Sequence, residues 1–442
     1  MKRWRKVCTA VVSILVVIAL FFGLQRLVMP KYDGTDNMPL EGNFTAEYYK
    51  ETTKHDVLMV GDCEVYENFD PMYLWKNYGI TSYIRGNAQQ LVWQSYYMLE
   101  DALKYETPKV VIYNVQSLTH GSPQREEYNR MTLDGMKWSK TKIDAIEASM
   151  CKGEKMADYV LPILRYHSRA AELTKSDFKY YFKNREITHN GYYMRIDVLP
   201  LSESDVADGS WLLGSDADKK EAEEENEIDD PWAAIDEEEN TEEDAAGEED
   251  SGEIDDPWGD MDTDVTEEDA IDDPWGDLGS DENETGNTDN TQEQGAKKDR
   301  TFSDYAIKYL DKLRKLCKEK GIQLILIKAP SLSPQWYEEE NEQVVEYAKK
   351  YSLPYINFYE LLGETGIDFE TDTYDGGLHM NLSGADKLSG YLGKVLQTEY
   401  GLEDHRSDSN LSKVYHKKLK FYEEMKIAQQ KELDKYGEIK TY

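Results

Sequence analysis

The chain has 442 residues, with 88 acidic against 51 basic side chains and a formal net charge of −37. Residues 203–295 hold 39 acidic and 2 basic residues, so the whole excess sits in one stretch and the rest of the chain is neutral overall. No basic stripe is left to neutralise phosphates, which argues against a nucleic-acid partner. Four cysteines, Cys8, Cys63, Cys151 and Cys317, stand far apart without paired metal-ligand spacing, so neither a zinc ribbon nor a disulfide-stapled scaffold is expected, and no metal or cofactor is called for.

Residues 1–7 form a basic flank carrying Lys2, Arg3, Arg5 and Lys6. An apolar run over 8–29 follows, interrupted near its end by Gln25 and Arg26. It is about long enough to cross a bilayer, and the flank places the N-terminus in the cytoplasm and the main domain outside. A cleavable signal peptide is the competing reading. The run is long for one, and no small-residue cleavage site follows it. Residues 30–55 read as a polar stalk.

From 56 the pattern becomes that of an α/β domain, with a first segment over 56–202 and a second over 301–400. Short apolar runs at 56–61, 109–114, 322–328 and 354–358 predict buried parallel strands. Helical spacing is found at 91–105, 303–320, 339–350 and 383–396, with Ser303 and Ser383 as expected N-caps. The alternation favours a parallel sheet with helices on its faces. Residues 120–200 read as a helical excursion over the sheet, with helices near 143–150 and 155–166. The charged tail, 401–442, is helical in pattern, either a docking helix or a frayed end.

The acidic stretch, 203–300, is expected to be a disordered insertion. It repeats Ile-Asp-Asp-Pro-Trp at 228–232, 254–258 and 271–275. The unequal spacing excludes a stacked solenoid. The repeats read either as docking motifs for a protein partner or as low-complexity linker.

Two clusters carry chemistry. Gly61-Asp62-Cys63 ends the first strand, where a parallel sheet presents its ligands. Asp375-Gly-Gly-Leu-His379-Met-Asn381 precedes the last helix of the second segment. A cysteine, a histidine and an aspartate can serve as nucleophile, base and orienting group. Together these blocks resemble those of the SGNH/GDSL hydrolases, in particular the single-pass Gram-positive members related to surface-polymer acyl-transfer proteins. That family has Gly-Asp-Ser in the first block and Asp-x-x-His in the last. Here cysteine replaces serine, and Asp375 precedes His379 by four positions. The resemblance covers about 55–119 and 301–397.

The resemblance implies a three-layer α/β/α, flavodoxin-like parallel sheet. It implies an acyl esterase or O-acyltransferase acting on a cell-envelope polysaccharide through Cys63, His379 and Asp375. Gly86 and Asn114 fall where the family forms its oxyanion hole. Asn87, Lys328, Trp336 and Asn381 are candidate substrate contacts, with a buried ion pair for Lys328 and core packing for Trp336 as the competing readings. The alternative function is a catalytically inactive envelope scaffold that binds a glycan or a protein partner. The acidic neighbours Asp62 and Glu64 oppose activation of the thiol.

Overall fold

A computed structural model describes residues 2–34, 39–123, 125–200, 300–332 and 336–440. Residues 201–299, with the three repeats, lie outside the described residues. The described residues belong to one unit built from both segments of the chain; a second unit, 229–299, falls wholly outside them.

Five strands form one parallel sheet: β1 (Val57–Gly61), β2 (Ser82–Gly86), β3 (Val110–Asn114), β4 (Gln323–Lys328) and β5 (Tyr355–Asn357). Their order is β2-β1-β3-β4-β5. The chain reverses direction of travel between β1 and β3, which makes the carboxyl ends of those strands the expected ligand edge. Alternate residues of the strands face opposite cores. Leu58, Val60, Val111, Tyr113, Leu324 and Leu326 point to one. Val57, Met59, Val110, Ile112, Ile325 and Ile327 point to the other. Burial on both faces is what continuous apolar runs, rather than alternating ones, signify.

The first face is covered by α1 (Val92–Ala102), α2 (Lys140–Ser149), α3 (Asp304–Lys320) and α4 (Glu338–Tyr351). The second is covered by α5 (Pro71–Tyr78), α6 (Leu382–Thr398) and α7 (Ser409–Tyr436). Helix α3 starts where expected, the Ser303 side chain accepting from the Ala306 N–H at 3.1 Å, and ends at left-handed Gly321. Helix α6 starts one residue earlier than expected. Its cap is Asn381, whose side chain accepts from the N–H groups of Ser383 and Gly384, so Ser383 is a first-turn residue.

Helix α5 and strand β2 were not anticipated. The helix is nonetheless bounded by the usual signals. Asp70 caps it, accepting from the Met72 N–H at 2.6 Å, Pro71 opens it, and left-handed Gly79 closes it. The tail forms α7 and docks. Tyr415 stacks on Trp75 with ring centroids 4.1 Å apart, and the Tyr422 hydroxyl donates to Asp70 at 2.7 Å.

The segment expected as a polar stalk is instead folded onto the domain. Leu40, Phe44 and Tyr48 recur every four residues and are all buried. Phe44 meets Tyr66 and Tyr48 meets Tyr83, each with centroids 5.1 Å apart. Glu47 accepts from the Ile187 and Thr188 N–H groups at 2.7 and 3.1 Å, joining this segment to the end of the excursion. The N-terminal helix, α8 (Lys2–Val28), is long and apolar enough to cross a membrane.

The excursion holds short helices, including Glu126–Leu133 and Met156–Val160, and then returns as an extended strap. The strap closes the open edge of β2: the Ile84 N–H donates to the Asn190 carbonyl at 2.9 Å. Gly191 lies so close that a Cβ there would come within 2.0 Å of the Ile84 carbonyl oxygen, and its φ is +86°. Gly191→Ala should therefore destabilise the protein by about 2–4 kcal/mol in urea denaturation, through steric clash and left-handed backbone together. A change below about 0.5 kcal/mol, the range of an ordinary surface substitution, would show that the strap is not held against the edge. Beyond Gly191 the strap runs past Tyr66 and Arg195 to Leu199, whose N–H donates to the Thr373 carbonyl at 3.1 Å. It thus joins both halves of the site.

Candidate functional site

Strand β1 ends at Gly61 and the chain turns into a single helical turn, Cys63–Tyr66. Cys63 therefore stands at the carboxyl edge of β1. Gly86, at the same register on β2, packs against this turn: a Cβ there would lie 3.1 Å from the Gly61 carbonyl oxygen and 3.3 Å from that of Asp62.

The loop bearing His379 is a short hairpin closed by a bridge between Thr373 and Met380. Gly376 and Gly377 form its tip with φ of +75° and +100°. Both conformations favour glycine, and they let the tip turn back so that Asp375 faces His379. Asp375 then holds the histidine twice. One carboxylate oxygen accepts from the His379 backbone N–H at 2.8 Å, and the other lies 2.7 Å from Nδ1. The hairpin is pinned from outside as well. Asn68 accepts from the Met380 N–H at 2.8 Å, and the Ser331 hydroxyl donates to the Leu378 carbonyl at 2.6 Å.

The structure brings Cys63, His379 and Asp375 together. Cys63 lies near enough to His379 for each to shift the other's proton affinity, and with Nδ1 taken by Asp375, Nε2 is the nitrogen left for the thiol. Burial pushes the thiol up to about 11; His379 opposes this, while Asp62 and Glu67 add to it. Burial works against a charged His379, but Glu67, Cys63 and Asp375 outweigh it and hold the imidazole well above its ordinary value.

Three residues of this site were not singled out from the sequence. Glu67 is buried, with an oxygen 3.8 Å from His379 Nδ1. The Tyr374 hydroxyl donates to Glu67, and its ring stacks over His379. Arg195 lies 4.4 Å from the centre of the Tyr374 ring and pairs with Asp197 at 2.6 Å. The sequence signal was the position of Tyr374 beside Asp375; nothing local marked Glu67 or Arg195.

The remaining candidates have other partners. The Asn114 amide donates to Asp62 at 3.1 Å and to Glu64 at 2.8 Å, so the group expected in the oxyanion hole is committed to two carboxylates. Lys328 is fully buried and its ammonium bonds both oxygens of Glu64 at 2.8 Å, the ion-pair reading rather than the substrate contact. Trp336 packs in the core within 5.8 Å of that ammonium, which leaves little ring to stack on a sugar. The Asn87 amide donates to the carbonyls of Glu41 and Met131 at 3.0 and 3.2 Å. Asn381 caps α6 and donates to the carbonyls of Asp197, Thr371 and Thr373. Asn87 is thus held by the backbone of the N-terminal segment and the excursion, and Asn381 by that of the strap and the loop before His379.

The carboxyls of this edge set its response to pH. Burial, with Glu64 beside it, pushes Asp62 up to about 7, and burial with Glu67 nearby pushes Glu41 up to about 7. In the unfolded chain these groups release their protons near pH 4. Between roughly pH 4 and 7 the folded state therefore binds more protons, and stability falls as pH rises. His379 acts in the same direction. Its stabilising contribution is present below the ordinary histidine value and is lost as pH rises through the raised one. The melting temperature should be higher at pH 5 than at pH 8, and Asp62→Asn with Glu41→Gln should flatten the slope. A melting temperature that rises over this interval would contradict the assignment.

No protein-family model, no curated protein and no solved structure matches the chain.

Proposed function

We propose that this protein is a membrane-anchored, extracytoplasmic esterase or O-acyltransferase of the SGNH type, acting on an ester-bearing cell-envelope glycan or polymer. The observation that carries the reading is the Asp375–His379 pair, bonded at 2.7 Å, standing beside Cys63 at the carboxyl edge of β1. In this mechanism the neutral form of His379 takes the Cys63 proton as the sulfur attacks the acyl carbonyl carbon, and the raised proton affinity of the imidazole makes this step favour alkaline pH. The alcohol leaves with that proton, and a thioester remains. Water or a sugar hydroxyl then attacks the thioester, giving its proton to His379, and the cysteine is released and reprotonated. Asp375 keeps the imidazole oriented and stabilises its charged form. With Asn114 bound to Asp62 and Glu64, oxyanion stabilisation falls to backbone N–H groups around Cys63 and Gly86. Helix α8 is the anchor, with its basic flank in the cytoplasm.

A second reading, an inactive scaffold that binds a glycan or a protein partner, is favoured by the raised thiol and by the commitment of Asn114. The acidic repeats would then be its docking motifs. The two separate on one assay. The full chain in detergent micelles is incubated with O-acylated envelope polysaccharide, and free and transferred acyl groups are measured. Acyl loss from the polymer that Cys63→Ala abolishes supports the enzyme. Unchanged acyl content, with retention of the polymer by the protein, supports the scaffold.

A further inference from the structure

Around the end of α8 the excursion carries a group of residues that the proposed active site does not use. The Tyr181 hydroxyl donates to the Gly23 carbonyl at 3.0 Å, and Arg26 Nε donates to the Tyr181 carbonyl at 2.5 Å. Arg169 donates to the Val28 carbonyl at 2.7 Å and is itself held by Asp177 at 2.9 Å. Gly23 lies five residues before the helix end, which is about 7 Å along the axis. Tyr181 is therefore set back from the helix end, alongside the apolar run and not beyond it.

Apolar exposed residues stand beside Tyr181 in the chain and in another segment that contacts α8: Phe182 is 88% exposed and Phe178 63%, and Leu164, in the short helix Ile163–Tyr166, is 50% exposed. Side chains of this size are unfavourable in water when grouped, and aromatic residues at the end of a membrane span belong to the interface. Lys175, Lys179 and Lys183 are exposed and interleave with the two phenylalanines along the chain, the first two within the short helix Lys175–Lys179. Apolar anchors flanked by lysines are the composition of a segment lying in the headgroup region of an anionic membrane.

We propose that residues 163–183 form a membrane-surface foot. Phe178 and Phe182 enter the interface beside α8, and Lys175, Lys179 and Lys183 meet anionic lipid headgroups. The proposal rests on the reading of α8 as a membrane span. Continuity with that span selects the occupant: the segment is hydrogen-bonded to the apolar helix at the depth where the lipid interface lies. The foot turns a single tether into a two-point attachment, which fixes the tilt of the domain against the bilayer.

The test uses the full chain in nanodiscs containing anionic phospholipid. A benzophenone-bearing residue is placed at position 17 or at position 182, and lipid adducts are identified by mass spectrometry after irradiation. Position 17 reports the span and position 182 the foot. Lipid adducts at both positions are expected. Replacing Lys175, Lys179 and Lys183 by Glu should lower the yield at 182 severalfold and leave position 17 unchanged. Adducts at 17 with none at 182, or protein–protein adducts at 182, would overturn the foot while keeping the anchor. Absence of lipid adducts at both positions would overturn the anchor and the foot together.

Discussion

Asp375→Asn is expected to slow acylation of Cys63 by roughly a thousandfold, somewhat less than the loss of about ten-thousandfold when such an aspartate is the only anion on the histidine. The asparagine keeps an oxygen for the His379 backbone N–H, so the hairpin stays folded. Its amide would donate where Nδ1–H now donates, which forces the wrong tautomer and removes the neighbouring charge. Glu67, 3.8 Å from the same nitrogen, supplies part of the missing charge. Asp375→Asn combined with Glu67→Gln should therefore lose more than the single change. The rate of adduct formation, followed by quenched-flow mass spectrometry, measures both. A single variant within about threefold of the parent, less than 1 kcal/mol in barrier, would remove Asp375 from the mechanism.

Lys328→Met should have the largest effect on stability. The ammonium is bound to both oxygens of Glu64 and to the Ala329 carbonyl, and both partners are almost wholly buried. Removing the cation leaves a buried carboxylate facing a thioether, with Asn114 as its remaining donor. Breaking one side of a buried pair costs about 3–5 kcal/mol, whereas neutralising both sides is far milder. Urea denaturation should show the single variant destabilised by that amount, with recovery of most of it in Lys328→Met combined with Glu64→Gln. A loss under about 1 kcal/mol in the single variant, as at a solvated surface pair, would mean that the pair is open to water.

Much of the sheet was legible because four strands are short, mainly apolar runs, a signal that survives without knowledge of partners. Strand β2 was not, because its sequence, Ser-Tyr-Ile-Arg-Gly, puts a cation in the strand. The structure neutralises Arg85 with Asp101 at 3.5 Å and stacks it 4.1 Å from the centre of the Tyr48 ring. One of these partners comes from the segment taken for a stalk. That segment was misread because its every-fourth-residue apolar pattern is sparse and is buried by parts of the chain distant in sequence, among them Tyr66 and Tyr83. At the site, Cys63, His379 and Asp375 were readable as blocks in the chain. Glu67 and Arg195 were not, since their roles come from the Tyr374 ring and from the return strap. Lys328 looked like a substrate contact and Asn114 like an oxyanion-hole donor because they stand at the correct strand ends. Which charges they neutralise is decided by Glu64, which no spacing rule connects to them.

The most direct test is to react the full-length protein with an activated acyl ester and determine its intact mass, with Cys63→Ala and His379→Ala as controls. A single acyl adduct, absent from both variants, is the predicted result. A protein that stays unmodified across several acyl donors, or an adduct that persists in Cys63→Ala, would contradict an acyl-transfer site at Cys63.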